Sequence, residues 1–188
     1  MSARSHRPAW ALELERVDVA LYAAVAATPT PALDVAMRRL SSAADHSRLW
    51  LATAAVLATV GGGRGRRAAV AGLASVGATS AAVNLVIKPL ARRRRPDRDL
   101  HGVPLARHVE MPVSRSFPSG HAASAFAFAG GVGRVLPREG VPLHALATAV
   151  AYSRVHTGVH FPADTVLGAV IGTVGAQVTS HALDRRRT

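Results

Sequence analysis

Hydrophobic and polar positions divide this chain into apolar runs closed by charges, glycines and prolines. Residues 47–62, SRLWLATAAVLATVGG, are apolar but short. Residues 68–90, AAVAGLASVGATSAAVNLVIKPL, make a longer run that closes on Lys88 and Pro89. Three more follow: 122–136, with Arg134 near its end; 141–155, carrying His144; and 163–183, the cleanest of the set. A helix needs about 20 apolar residues to cross a bilayer. The pattern predicts five membrane-spanning helices. These segments are nearly uncharged all round, not on one face only, which argues against a soluble helical bundle.

The N-terminal part has a different rhythm. In 9–27 and 32–43 apolar residues recur at helical spacing with charges on the other face, and TPTP at 28–31 separates the two. They predict two amphipathic helices lying on the membrane surface. A single span across 17–38 is the alternative, opposed by Asp18, Asp34 and two prolines. The expected fold class is all-α: an integral membrane helical bundle of about five transmembrane helices. Residues 1–44 form its interfacial leader and 45–188 the bundle proper. GGGRGRR (61–67) reads as a flexible basic turn, PREG (137–140) as a tight turn, 92–117 as a long polar connection and DRRRT as a basic tail. Gly168-x-x-x-Gly172 is a close-packing site. It is read as packing within the monomer, with homo-oligomerisation as the alternative.

Composition sharpens this picture. Of 188 residues 49% are hydrophobic and 18% charged, yet the formal net charge is +12. That balance suggests polyanionic partners: nucleic acid, anionic lipid headgroups or phosphorylated substrates. With no cysteine, disulfide and thiolate chemistry are excluded. The first 24 residues do not read as a signal peptide, because Glu13, Glu15 and Asp18 interrupt the apolar stretch.

Polar groups at the edges of apolar spans are expensive and need a reason. They gather at KPLARRRRP (88–96), PSGH (118–121) and SRVHTGVHFPAD (153–164). Consecutive spans alternate direction, so these three clusters emerge on one face of the membrane. Lys88, Arg95 and Arg154 would then surround one small volume, offering donors suited to phosphate oxygens. Ser119 stands where a helix N-cap would, with Gly120 and His121 opening the helix and its free N–H groups. Pro162 suits a first helical turn, which sets His160 just outside a helix and Asp164 within it. A carboxylate there can accept an imidazole N–H and leave the second ring nitrogen free as base or nucleophile.

Lys88-x6-Arg95-Pro96, Pro118-Ser119-Gly120-His121 and Ser153-Arg154-x5-His160-x3-Asp164 resemble, in order, the three-part signature of the type 2 phosphatidic acid phosphatase (PAP2) superfamily. With flanking helices the resemblance covers about residues 45–183. It implies that His160 attacks phosphorus and becomes a phosphohistidine, that Asp164 orients it, and that His121 protonates the leaving alkoxide. It further implies that Lys88, Arg95, Ser119, Gly120 and Arg154 hold the phosphoryl oxygens, with no metal and no cofactor. The usual six spans of larger members are five here. The implied substrate is an amphiphilic phosphate: a polyprenyl-linked phosphate such as decaprenylphosphoryl-5-phosphoribose, a polyprenyl diphosphate, phosphatidic acid or phosphatidylglycerol phosphate. The implied location is the plasma membrane, with an outward-facing site among anionic lipids.

Other readings compete. His156, His160 and Asp164 fall at i, i+4 and i+8, a metal-ligand stripe if the helix were continuous, but Gly158 and Pro162 interrupt it. SFPSGHA lacks the G-x-S-x-G elbow of a serine hydrolase. ARRRRPDR (91–98) has no interleaved aromatics for base stacking, so no nucleic-acid partner is expected. Arg92, Arg93, Arg94 and Arg98 are assigned to headgroups or solvent. His6, His46, His101, His108, His144 and His181 are assigned structural or solvated roles, and His156 a place near the pocket. A non-catalytic lipid-phosphate-binding scaffold is the alternative from another class.

Overall fold

Helix is the only regular structure among residues 8–185, which the computed structural model describes. Seven helices carry it: α1 (Ala9–Ala27), α2 (Pro31–Ala43), α3 (Arg48–Val60), α4 (Gly62–Leu90), α5 (Gly120–Val135), α6 (Pro137–His156) and α7 (Pro162–Arg185). His6 and most of the DRRRT tail lie outside the described residues. Helix α5 is central and packs on α4, α6 and α7.

Small residues let these backbones close on one another. A Cβ at Gly172 would stand 2.2 Å from the Ala123 carbonyl, and one at Gly168 would stand 2.5 Å from that of Ser119. The Gly168-x-x-x-Gly172 seam therefore packs α7 against α5 inside the monomer. Around it Trp50, Ala68, Ala125, Phe128, Val132 and Val150 form the main core, with the Trp50 and Phe128 rings 5.3 Å apart. Burial of each large apolar side chain here contributes roughly 1.5–3 kcal/mol.

Two connections differ from expectation. GGGRGRR is not a flexible turn: α4 begins at Gly62. Gly61 closes α3 by donating to the Leu57 carbonyl, and Gly65 lies so near that carbonyl that a Cβ would clash at 2.1 Å. The glycines serve a tight helix–helix corner. PREG likewise is the first turn of α6, with Pro137 at its N-terminus and only Leu136 between α5 and α6. Proline needs no N–H partner there.

Each of the five apolar segments forms a helix, but two are long and apolar enough to cross a membrane: Gly62–Leu90 and Pro162–Arg185. A third is counted if α1 and α2, bent by 117°, act together as one broken span. Helix α3, with 13 residues, rises only about 20 Å, less than a hydrocarbon core of roughly 30 Å. Helix α1 turns Asp18, Tyr22 and Ala26 inward and leaves Leu14, Val17 and Leu21 exposed. Of its acidic residues Asp18 faces protein instead of headgroups, for a reason found in the site.

Candidate active site

His160 sits in the short loop that joins α6 to α7. Gly158, at φ +71, reverses the chain, and the N–H groups of Val159 and His160 both donate to the Arg154 carbonyl. Glycine is the residue that tolerates this left-handed turn without strain. The loop fixes the ring in a buried position. Arg95 Nη1 approaches His160 Nε2 at 3.2 Å. A guanidinium only donates, so Nε2 is the acceptor and the ring proton belongs on Nδ1. Nδ1 faces Ser116 Oγ at 3.4 Å and Asp164 Oδ2 at 3.5 Å. Ser116 in turn donates to Asp164 Oδ2. Burial pushes the His160 pKa down to about 3, so the ring is neutral at ordinary pH.

Asp164, in the first turn of α7, is fully buried and braced on several sides. Arg93 Nη1 donates to its Oδ1 at 3.0 Å, and the Phe161 N–H donates to its Oδ2 at 3.0 Å. Arg93 reaches further to Asp18 of α1 through Nη2 and lies 4.2 Å over the Phe161 ring. Asp18 Oδ1 also accepts the Ala163 N–H at 2.8 Å, so α1 caps the start of α7. Arg93, assigned from sequence to headgroups or solvent, is instead the link between α1 and Asp164. A carboxylate without fixed cations is costly to bury, which is why the link is internal.

His121 opens α5 behind the N-cap residue Ser119, whose hydroxyl accepts the Ala122 N–H at 3.4 Å. Its Nε2 lies 2.8 Å from Asp45 Oδ1, in the turn between α2 and α3. The bond from His121 holds the Asp45 pKa below the usual carboxylate range. Lys88 Nζ comes within 3.5 Å of where a Gly120 Cβ would be, so glycine there leaves the ammonium close to the helix N-terminus. The first N–H groups of α5 have no helical carbonyl to bond and favour an anion. Arg95 is anchored by Nε to the Ser114 carbonyl at 2.8 Å and by Nη1 to the Val159 carbonyl at 3.0 Å.

Lys88, Arg95, Gly120, His121 and His160 line one cavity of about 550 Å³. Ser119, Arg154 and Asp164 are buried behind that lining. Arg154 bonds Ser41 Oγ through Nη1 and stands 3.6 Å from Asp45, while its Nε and Nη2 are buried with no partner among the described residues. His156 does not reach the cavity. It bonds Asp34 at 2.9 Å, in a cluster with Arg107 that ties α2 to the bundle. His46, assigned a bland role, lies at the cavity lip. His108, His144 and His181 bond backbone carbonyls, and His101 packs on Tyr22. Arg98 is half committed, with Nη1 on the Val109 carbonyl.

A neutral histidine backed by a carboxylate, a second histidine, and cations converging on one cavity are an arrangement chemically able to support phosphoryl transfer. The chain belongs to the PAP2 superfamily, whose family model matches residues 68–188. It is a phosphatase of that superfamily and a membrane protein. It is 38% identical over 176 residues to the decaprenylphosphoryl-5-phosphoribose phosphatase of Mycobacterium tuberculosis H37Rv, covering 92% of this chain and 94% of that protein. The protein of that name in Mycolicibacterium smegmatis is 38% identical over 157 residues, covering 82% and 80%. Among solved structures, the transmembrane PAP2-type phosphatidylglycerolphosphate phosphatase of Bacillus subtilis superposes with a TM-score of 0.70 at 25% identity, covering 92% and 87%. Aquifex aeolicus LpxE shares the fold, with a TM-score of 0.69 at 24% identity, covering 88% and 95%.

Proposed function

We propose that this phosphatase removes the terminal phosphate from a polyprenyl-linked sugar phosphate of the decaprenylphosphoryl-5-phosphoribose type. The observation that carries the catalytic part is the polarity of His160: Nδ1 faces Ser116 and Asp164, while Nε2 faces Arg95 in the cavity shared with Lys88 and His121. The Nε2 lone pair attacks phosphorus, the P–O bond to the leaving alcohol breaks, and His121 gives that oxygen its proton. The phosphoryl group rests on Nε2 while Nδ1–H points at Asp164. His121, now neutral, takes a proton from water. The resulting hydroxide attacks phosphorus, the P–N bond breaks and inorganic phosphate leaves. Lys88, Arg95, Arg154, Ser119 and the Gly120 N–H spread the charge of the equatorial oxygens.

The substrate part rests on likeness over nearly the whole chain to the two mycobacterial proteins. A groove of about 680 Å³ between α1 and α7 adds support. It sets Leu14, Val19, Phe117 and Leu167 beside Arg92 and Arg94, a surface suited to an amphiphilic anion. In the membrane, α4 and α7 cross, and α3, α5 and α6 lie packed alongside them with the site-bearing ends at one face and α1 and α2 at the interface. Arg64, Arg66, Arg67, Arg134, Arg138 and Arg185 occupy helix ends remote from the site. Near the site Arg93, Arg95, Arg98 and Arg107 are committed to internal bonds. By likeness to its family the site is read as lying at the outer face of the plasma membrane, with Arg92 and Arg94 on that face assigned to substrate and headgroup contacts and the remote end read as cytoplasmic.

The test is phosphate release by purified protein across a panel of polyprenyl sugar phosphate, phosphatidic acid, phosphatidylglycerol phosphate and polyprenyl diphosphate, with His160→Ala as control. Preference for the sugar phosphate is expected. Preference for a glycerolipid phosphate would move the substrate to the alternative, and release by His160→Ala would remove the mechanism.

A further inference from the structure

The cavity does not end at the phosphate cluster. Beyond it Ser80 and Asn84 of α4 and Ser124 of α5 line the same space, with the carboxylates of Asp45 and Glu110 also on its wall. We propose that Ser80, Asn84 and Ser124 form a subsite that reads the hydroxyl groups of the leaving alcohol, whose part next to the scissile oxygen is an uncharged polyol ring of about pentose size. The inference rests on the phosphatase reading above and assigns the part of the site that selects among phosphate esters.

Spacing on α4 is the first argument. Ser80, Asn84 and Lys88 recur at intervals of four, each step rising about 6 Å along the axis. Four residues overshoot one α-turn slightly, so such a row drifts around a regular helix. Here Ala82–Ile87 are wound as a π-helix, whose wider turn offsets that drift, and all three side chains meet one cavity. Such widened turns are frequent at functional sites. Asn84 thus lies one step along the same wall from Lys88, whose ammonium would hold the phosphate.

Hydrogen-bond capacity is the second. Asn84 Nδ2 donates to the Ser80 carbonyl at 3.0 Å, and its Oδ1 accepts nothing among the described residues. Ser80 and Ser124 hydroxyls stand 3.2 Å apart. One proton joins that pair, and the other is spare. The wall therefore offers a free acceptor and a free donor, the complement of a hydroxyl, which is both. Packing does not account for an amide here, because neighbouring Leu85 and Val86 are exposed apolar residues on an apolar helix. A polar group at such a position calls for a partner.

Charge is the third. Asp45 and Glu110 accept hydroxyl protons but repel a second phosphate attached directly to the first. The wall favours a sugar ester over a diphosphate.

The experiment compares kcat/KM for a dodecyl riboside 5-phosphate with that for dodecyl phosphate in detergent. It uses wild type, Asn84→Leu and the Ser80→Ala, Ser124→Ala double variant. The ratio of the two values is expected to fall about tenfold in each variant, the effect of losing one or two hydrogen bonds. If the asparagine variant does not fold, the serine pair carries the same readout. A ratio that stays within about twofold of wild type overturns the proposal while leaving the phosphatase reading intact. Wild-type protein that releases phosphate from neither compound overturns both.

Discussion

Replacing Arg154 with methionine should separate activity from stability. The guanidinium is 1% exposed, and among the described residues only Nη1 of its three nitrogens has a hydrogen-bond partner, Ser41. Its desolvation is only partly compensated in the resting protein, by Ser41 and by Asp45 at 3.6 Å, and Nε and Nη2 have no partner among the described residues, so a phosphate bound in the adjoining cavity is expected to recruit them. Hydrogen bonds to charged groups are worth about 1.5–3 kcal/mol each. Two of them come to roughly 3–6 kcal/mol, or a loss of about 10² to 10⁴ in kcat/KM. Methionine matches much of the volume without the charge, and replacing a poorly paired buried ion with an apolar residue is often neutral or stabilising. The thermal midpoint of Arg154→Met in detergent should therefore equal or exceed that of wild type. Inorganic phosphate should raise the wild-type midpoint, by about 2.7 kcal/mol of stabilisation at a hundred times its Kd, and leave the variant unmoved at the same concentration. A variant that unfolds many degrees earlier yet still gains stability from phosphate would make Arg154 a strut and refute the reasoning.

Three further outcomes follow from the same geometry. Asp18→Asn weakens the hold of Arg93 on Asp164 without touching the phosphate cavity, so kcat should drop roughly tenfold on a short-chain phosphate that does not fill the groove Asp18 lines; steady-state kinetics with unchanged kcat would contradict the linkage. Because His160 is held near 3 in the folded protein against about 6.5 unfolded, the unfolded chain binds the extra proton. Stability from this group is full above about pH 6.5 and falls as pH drops from there toward 3, so the wild-type unfolding midpoint should decline more steeply over that window than that of His160→Gln. Chelators should leave phosphate release unchanged, since Lys88, Arg95 and Arg154 supply fixed positive charge and the described residues hold no metal-binding group of three His, Asp or Glu; loss on chelation with recovery on metal addition would contradict this.

The residues legible in the sequence were those that short-range rules place. His160 and Asp164 flank a proline at a helix start, and Ser119 to His121 open a helix. Lys88 and Arg95 close an apolar run, and alternating spans bring these ends to one face. The supports were not legible, because each is a lone residue whose meaning depends on a bend elsewhere. Asp45 meets His121 only because His46 and Ser47 take positive φ between α2 and α3. Asp18 meets Arg93 only because α1 turns its polar edge inward. Ser116 was hidden in a loop with other serines, though its place before the Phe117–Pro118 step and the N-cap of α5 is a usable signal. The GGGRGRR and PREG segments were misread because glycine and proline mark helix corners as readily as flexible turns, and only close approach of the two backbones tells them apart. The run 47–62 was legible as short, and its helix Arg48–Val60 is short; apolar pattern places such a helix without saying whether it crosses the bilayer.

The account turns on the bond that forms at His160. Wild-type protein mixed with a lipid phosphate carrying a labelled phosphoryl group, quenched in alkali within a turnover and digested to peptides, should yield label on Nε2 of His160. That label should be stable in alkali, lost in acid and absent from His160→Ala. Steady release of phosphate with no such label, or with label on another residue, would contradict it.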